Sequence, residues 1–256
     1  MGSSFSYCIC AQIIEMRKII DNFKTLLIAL IIAILIRSFF FQPFYIPSSS
    51  MEPNLLVGDR IFVSKYSYGF SKHSFPFSPP IFKNRIFSNP PNYGDLVVFK
   101  TPSDNRTDYI KRLIGFPGDE IQFIAGDLHL NKKKVQKKET FSNKKIFCGK
   151  IESEVNFYEE SLQKKKKYNI VYSKIGSMIN SDKYIVPQNH YFLLGDNRDC
   201  SRDSRFLSSV GYVHENNLVG KAQIVFFSND TSKGSFLKFW NWHKSIRGDR
   251  FFKKLK

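Results

Sequence analysis

No Cys-x-x-Cys pair occurs in this chain, and its four cysteines, Cys8, Cys10, Cys148 and Cys200, have no histidine at zinc spacing. A structural metal site is therefore not expected, and no cofactor is. Cys148 and Cys200 could pair in an oxidising compartment, but the expectation is that both stay free. His73, His129, His190, His214 and His243 sit in no Gly-x-Ser-x-Gly or triad-like context, and His-Glu-x-x-His is missing. The usual histidine-dependent hydrolases are thereby excluded.

Acidic residues are also scarce, 22 against 39 basic ones, for a net charge of +17. Such an excess suits nucleic acid, anionic lipid or a mere lysine bias. Much of it lies in Lys132 to Lys134, Lys137, Lys138, Lys144, Lys145 and Lys164 to Lys167, interleaved with Asn, Glu and Ser rather than with aromatics on which bases could stack. Residues 126–186 therefore read as a solvated, partly mobile inserted cap, with lipid preferred to nucleic acid as a partner.

One long apolar run is present. Thr25 to Ile36 is uncharged and continues through Arg37-Ser38 into Phe39-Phe40-Phe41, about 17 residues, near the lower limit for crossing a bilayer. Arg37 can reach the headgroups with its long stem. No small-x-small site follows, because Phe39 to Tyr45 is bulky, so the segment reads as a retained anchor rather than a cleaved leader. Arg17, Lys18 and Lys24 precede it, which places the N-terminus in the cytoplasm and the rest outside. Met1-Gly2-x-x-x-Ser6 fits a permissive myristoylation pattern, but Met16-Arg17-Lys18 reads as the more natural start of a signal anchor.

Beyond the anchor, period-two runs predict strands at 60–66, 95–100, 108–114, 120–124, 190–194 and 221–227, separated by Gly-Asp and Pro-Gly turns. The fold class is mainly β: one transmembrane helix, then an antiparallel β catalytic domain with the Lys-rich insertion. The expected division is a cytoplasmic tail at 1–22, the anchor at 23–41, a core at 42–125 and 187–228, the cap at 126–186, and a basic aromatic tail at 229–256. Ser71 to Asn92, rich in Phe and Pro, reads as a long ordered loop whose phenylalanines either touch lipid or cover a core edge. The tail joins interfacial aromatics, Phe236 to Trp242, to Lys244, Arg247, Arg250 and Lys253, a candidate second contact with anionic lipid.

Ser50 follows the anchor so closely that nine residues separate it from Phe41, at most ~30 Å of extended chain. A serine hydroxyl needs a base, and with histidine out of place a lysine is the remaining candidate. An exposed lysine is neutral less than ~0.1% of the time at pH 7, so it must be buried to serve. Lys111 lies on the strand at 108–114, where alternation turns it inward and Arg112 toward water. Alone, it reads as one surface lysine among many.

The surroundings decide the matter. Pro47-Ser48-Ser49-Ser50-Met51-Glu52-Pro53, Gly58-Asp59, Gly94-Asp95-Leu96-Val97-Val98-Phe99, Tyr109-Ile110-Lys111-Arg112 with Gly115-Phe116-Pro117-Gly118-Asp119, and Gly195-Asp196-Asn197-Arg198-Asp199-Cys200-Ser201-Arg202-Asp203-Ser204-Arg205 occur in that order over residues 20 to 228. The set resembles bacterial type I signal peptidase. The resemblance implies a membrane-anchored serine endopeptidase that removes signal peptides from exported preproteins at the outer face of the cytoplasmic membrane. It implies Ser50 as nucleophile, Lys111 as general base, Ser48 in the oxyanion hole with the Ser50 N–H, and Ser201 orienting the lysine amine. Asp203 and Arg205 correspond to a structural brace, while Met51 and Pro53 shape the wall after the nucleophile. Ser49 stands where the family often has Gly, and Cys200 where Asn is common. The implied partners are preprotein signal peptides and the phospholipid bilayer, with no nucleic acid and a monomeric state. Alternatives are a dedicated pilin or conjugation maturation peptidase of the same clan, or a non-catalytic adaptor at the membrane surface.

Overall fold

The computed structural model describes residues 3–75, 78–79, 84–149, 151–162, 166–174, 179–230, 232 and 242–255. A long helix, α1 (Ser3–Phe39), leads into the body of the chain. From Glu15 to Phe39 it is long and apolar enough to cross a membrane, and residues such as Leu26, Ile28 and Leu30 are more than half exposed. That much uncovered hydrocarbon is stable only in lipid. Met1 and Gly2, which carry the myristoylation pattern, lie outside the described residues.

Helix becomes strand two residues before the expected end of the anchor. Phe41 opens β1 (Phe41–Tyr45), antiparallel to β2 (Asp59–Ser64), with Phe41 opposite Ser64. Phe39 then packs edge-on against Phe70 and Phe75, with ring centroids 5.4 Å and 5.6 Å apart. Two aromatics of the 71–92 region and its flank thus meet the end of the anchor, whereas Phe87 is 83% exposed.

The remaining strands are β3 (Leu96–Lys100), β4 (Asp108–Gly115), β5 (Glu120–Ile124), β6 (Asp127–Leu130), β7 (Lys133–Lys134), β8 (Gln136–Cys148), β9 (Ile151–Leu162), β10 (Lys166–Ser173), β11 (Tyr184–Ile185), β12 (His190–Leu194), β13 (Val213–His214), β14 (Leu218–Ser228) and β15 (Lys253–Lys254). The main sheet runs β1-β2-β14-β3-β4-β12-β13, with β15 added along β14. Its strands carry the buried sets Ile61, Val63, Val98 and Val225 on one side and Val97, Phe99, Leu113 and Leu193 on the other. Burying both faces explains why β3 reads as continuous Leu-Val-Val-Phe rather than as an alternation.

Residues 126–186 depart from the expected mobile cap. β5, assigned to the core from its pattern, instead joins β11, β6 and β7 in a four-stranded sheet, while β8, β9 and β10 form a three-stranded one. Tyr168, Ile170 and Tyr172 on β10 are buried with Ile114 and Phe192 of the main sheet. Lys138 and Lys167 point outward from long paired strands while Lys166 turns in to Asp95 at 2.9 Å, so composition alone hides a regular ladder.

The two cysteines expected to be free are bonded. Cys148 ends β8 and is linked to Cys200, in the loop after β12, with 5.6 Å between Cα atoms. The length of the β8–β9 hairpin carries its tip to that loop, a proximity no sequence pattern announces. Closing a loop between positions 52 apart in sequence stabilises a fold by roughly 2–4 kcal/mol. Thermal melts of the intact and reduced protein should differ by that amount, and Cys148→Ser should melt like the reduced form.

The C-terminal segment is more than a tail. Arg250 is buried, with Nε 2.9 Å from Asp59 Oδ1, and Arg247 pairs with Asp230 at 3.4 Å. These two cations are occupied within the fold and are not offered to lipid. The aromatics from Phe236 to Trp240 lie outside the described residues.

Candidate active site

Ser50 sits in a single 3-10 turn, Ser49–Met51, that the core holds from behind. Met51 and Leu55, on either side of Pro53, are fully buried, and Glu52 N donates to Ser49 O at 3.0 Å. Pro53 removes one donor from a tight turn that already bonds Asn54 N to Met51 O. Ser49 and Ser50 are buried and Ser48 is exposed, its Oγ 3.3 Å from Ser50 Oγ.

Lys111 comes from β4, opposite Val97 of β3, and is only 3% exposed. Its Nζ lies 2.6 Å from Ser50 Oγ, a short direct hydrogen bond. Burial pulls the amine down from the ordinary 10.5 to about 8, against Asp203 and Asp196, which pull it up. Holding the amine there requires roughly 3 kcal/mol from the fold. Between pH 8 and 10.5 the unfolded chain holds more protons at this position than the folded one, so the cost of burying Lys111 is fully present below pH 8 and is relieved as pH rises to 10.5.

Arg112 does not face water, as alternation would have it. It is fully buried, with Nε 2.7 Å and Nη2 2.8 Å from the Asp196 carboxylate, Nη1 2.7 Å from Gly94 O, and its guanidinium 4.0 Å from the centre of the Tyr168 ring. The sheet of β8 to β10 covers that face of β4. Both neighbours on the strand can be buried because each meets its own partner.

The loop after β12 closes the site from the other side. Asn197 donates from its backbone N–H to Ser50 O at 3.1 Å and from Nδ2 to Ser49 O at 3.2 Å. Asp196 Oδ2 also accepts from Asn54 Nδ2 at 2.7 Å, joining both ends of the Ser50 turn to the ion pair with Arg112. Arg205 grips Asp203 through Nε at 2.8 Å and Nη2 at 2.9 Å, and Asp203 Oδ2 accepts from Gly195 N at 2.9 Å. Ser201 is buried beside them, but among the described residues its Oγ has no hydrogen-bond partner.

Gly195 reads in sequence as turn punctuation, yet it is the closest approach in the site. A Cβ there would fall 2.1 Å from Ser201 Oγ and 2.7 Å from Ser50 O. Cys200, bonded to Cys148, also brings its Sγ to 3.5 Å from Ser49 Oγ. The only sequence sign of either was membership of the Gly195 to Arg205 motif.

A cavity of about 470 Å³ opens in front of Ser50 and Lys111, walled by Phe44, Ile46, Ile61, Val98 and Ile110. Residues of β1 and of β4, distant in sheet order, both line it, so the sheet curls to bring them together. Pairing of β4 with β12 covers only Arg112 to Gly115, which leaves the stretch from Asp108 to Lys111 unpaired on that side. An open strand edge beside an apolar trough suits an extended peptide.

A family model described as signal peptidase, peptidase S26, matches residues 19–227. Signal peptidase I of Rickettsia typhi (strain ATCC VR-144 / Wilmington) is 37% identical over 252 residues, covering 92% of this chain and 93% of its own. Signal peptidase I of Rickettsia conorii (strain ATCC VR-613 / Malish 7) is 39% identical over 241 residues, covering 88% of each. A solved signal peptidase I from Enterococcus faecalis V583 superposes on 52% of this chain and 97% of its own at 21% identity and a TM-score of 0.31, too loosely to support any inference.

Proposed function

Because this chain belongs to the signal peptidase family, peptidase S26, we propose that Ser50 is its nucleophile and Lys111 its general base. The protein is a membrane-anchored serine endopeptidase that cleaves signal peptides. The observation that carries the residue assignment is the 2.6 Å contact between a hydroxyl and an amine that is 3% exposed. Neutral Lys111 takes the Ser50 proton as Oγ attacks the scissile carbonyl, then returns it to the leaving amine. Ser48 and the Ser50 N–H hold the oxyanion, a kind of contact worth about 3–4 kcal/mol. Water, activated by the same amine, then hydrolyses the acyl-enzyme.

Ser201 is assigned the orienting role. Its buried hydroxyl has no partner among the described residues, and so can accept from the amine once Lys111 is protonated. Asp203 and Arg205 fix the Gly195 backbone through the Asp203 carboxylate. A preprotein lies extended along Asp108 to Lys111, its signal peptide reaching the site from the bilayer; small residues one and three positions before the cut follow from the family resemblance. Arg17, Lys18 and Lys24 before the anchor support a cytoplasmic N-terminus and a catalytic body at the outer face of the cytoplasmic membrane. The Cys148–Cys200 bond fits that oxidising side. The enzyme acts as a monomer without nucleic acid.

The test is the pH dependence of preprotein cleavage by the full chain in detergent micelles. Only the neutral amine is a base, so kcat/KM should climb with pH and reach half its plateau near the Lys111 value of about 8. A rate that is flat from pH 6 to 9 would remove Lys111 from the role.

A further inference from the structure

A second cavity, of about 450 Å³, lies where α1 leaves the membrane and shares Phe44 and Asp108 with the wall of the cavity at Ser50 and Lys111. Its walls carry five cations, Arg37, Lys65, Lys72, Lys100 and Arg106, against two carboxylates, Asp104 and Asp108. The cations outnumber the carboxylates by three. Asp104 is engaged by Thr101 Oγ, Thr107 and the backbone N–H of Arg106, and Asp108 is held by Lys100 at 2.9 Å. Among the described residues, Arg37 and Lys72 have no ion-pair partner.

His73 adds a second, independent sign. It lines the cavity and is 95% removed from solvent by its 5% exposure, with Nδ1 3.0 Å from Ser78 Oγ, yet its Nε2 has no partner among the described residues. A buried ring nitrogen without a partner is destabilising, and an acceptor in the cavity would relieve it. Lys65, 2% exposed, is depressed to about 8 by burial and then by Arg37. The amine donates to Ser74 O at 2.5 Å and is repelled by the Arg37 guanidinium, with Asp108 offsetting part of that repulsion.

We propose that this cavity binds the phosphate of an anionic phospholipid headgroup, held by Lys65, Lys72, His73 and Arg106 beside Arg37. Its place at the membrane end of α1 selects a lipid over a free anion. Arg37 lies two residues before the end of α1, and Phe39 packs on Phe75, which lines the cavity. Phe39, Phe40, Phe41, Tyr66 and Phe70 form an apolar patch on the same junction. Aromatics of this kind sit at the headgroup level, which sets a phosphate at the cavity mouth and its acyl chains along α1.

The test measures binding directly, without cleavage, so its outcome is independent of the peptidase assignment. Full-length protein in a non-ionic micelle is titrated with dihexanoyl phosphatidylglycerol, dihexanoyl phosphatidylcholine or inorganic phosphate, read by native mass spectrometry. Phosphatidylglycerol should bind best, and Lys72→Gln with Arg106→Gln should weaken it about fivefold per charge removed. Both side chains are at least partly solvent-exposed, and an unchanged melting temperature shows the pair still folds. Unaltered phosphatidylglycerol affinity in the double variant would overturn the site. Equal binding of phosphatidylcholine would overturn the anionic assignment, and equal binding of inorganic phosphate would replace the lipid by a soluble anion.

Discussion

Lys111→Met is expected to lower kcat for preprotein cleavage by at least ~10³ while leaving the protein as stable as the wild type or more so. The side chains are close in length, so methionine fills the space of the lysine stem with little change of volume. What disappears is the amine 2.6 Å from Ser50 Oγ, and among the described residues no other titratable group lies within hydrogen-bond reach of that hydroxyl. Below pH 8 the wild type buries a protonated amine, so the variant should gain up to roughly 3 kcal/mol there and nothing above pH 10.5. Ser50→Ala should match the loss of turnover without that pH-dependent gain. Lys111→Arg separates charge from basicity: a guanidinium stays protonated, so it should be as inactive as methionine. Wild-type turnover in Lys111→Met, with an unshifted melt, would end the assignment.

How far the site could be read in advance depended on whether its cause was local. The Ser50 turn and the β4 lysine each have a local signature, a Pro-flanked Ser cluster and an apolar strand, and the structure brings them together. Arg112 was misplaced because alternation assumes one wet face, while β4 is covered on both, by Tyr168 from a strand more than fifty residues on. The Cys148–Cys200 bond and the ladder from β8 to β10 were hidden for the same reason. Their cause is the reach of a long hairpin, and a lysine-rich composition masks it. Phe41, the first residue of β1, falls within the expected anchor because Phe39-Phe40-Phe41 is as apolar as a helix end; only the pairing with β2 distinguishes strand from span.

Gly195→Ala should be the most damaging single methyl group in the active site. Its backbone is not in the left-handed region, so the effect is one of space alone. The added carbon would meet Ser201 Oγ at 2.1 Å, Ser201 Cβ at 2.3 Å and Ser50 O at 2.7 Å, and the last is backbone that cannot rotate away. Relief requires the loop after β12 to separate from the Ser50 turn, which stretches the Asn197 N to Ser50 O bond of 3.1 Å. A shift of about 1 Å at a nucleophile can cost 10²-fold in rate, and overpacking of this kind about 1–3 kcal/mol in stability. Gly248→Ala, with nothing within 4 Å of its added carbon, is the matched control and should change neither. Removing the Ser201 hydroxyl in a Gly195→Ala, Ser201→Ala pair relieves the 2.1 Å contact alone and leaves those to Ser201 Cβ and Ser50 O, so neither stability nor kcat should return to the wild-type value. Should Gly195→Ala alone turn over within threefold of the wild type, the two loops are not held at the separation on which the Ser50 geometry depends.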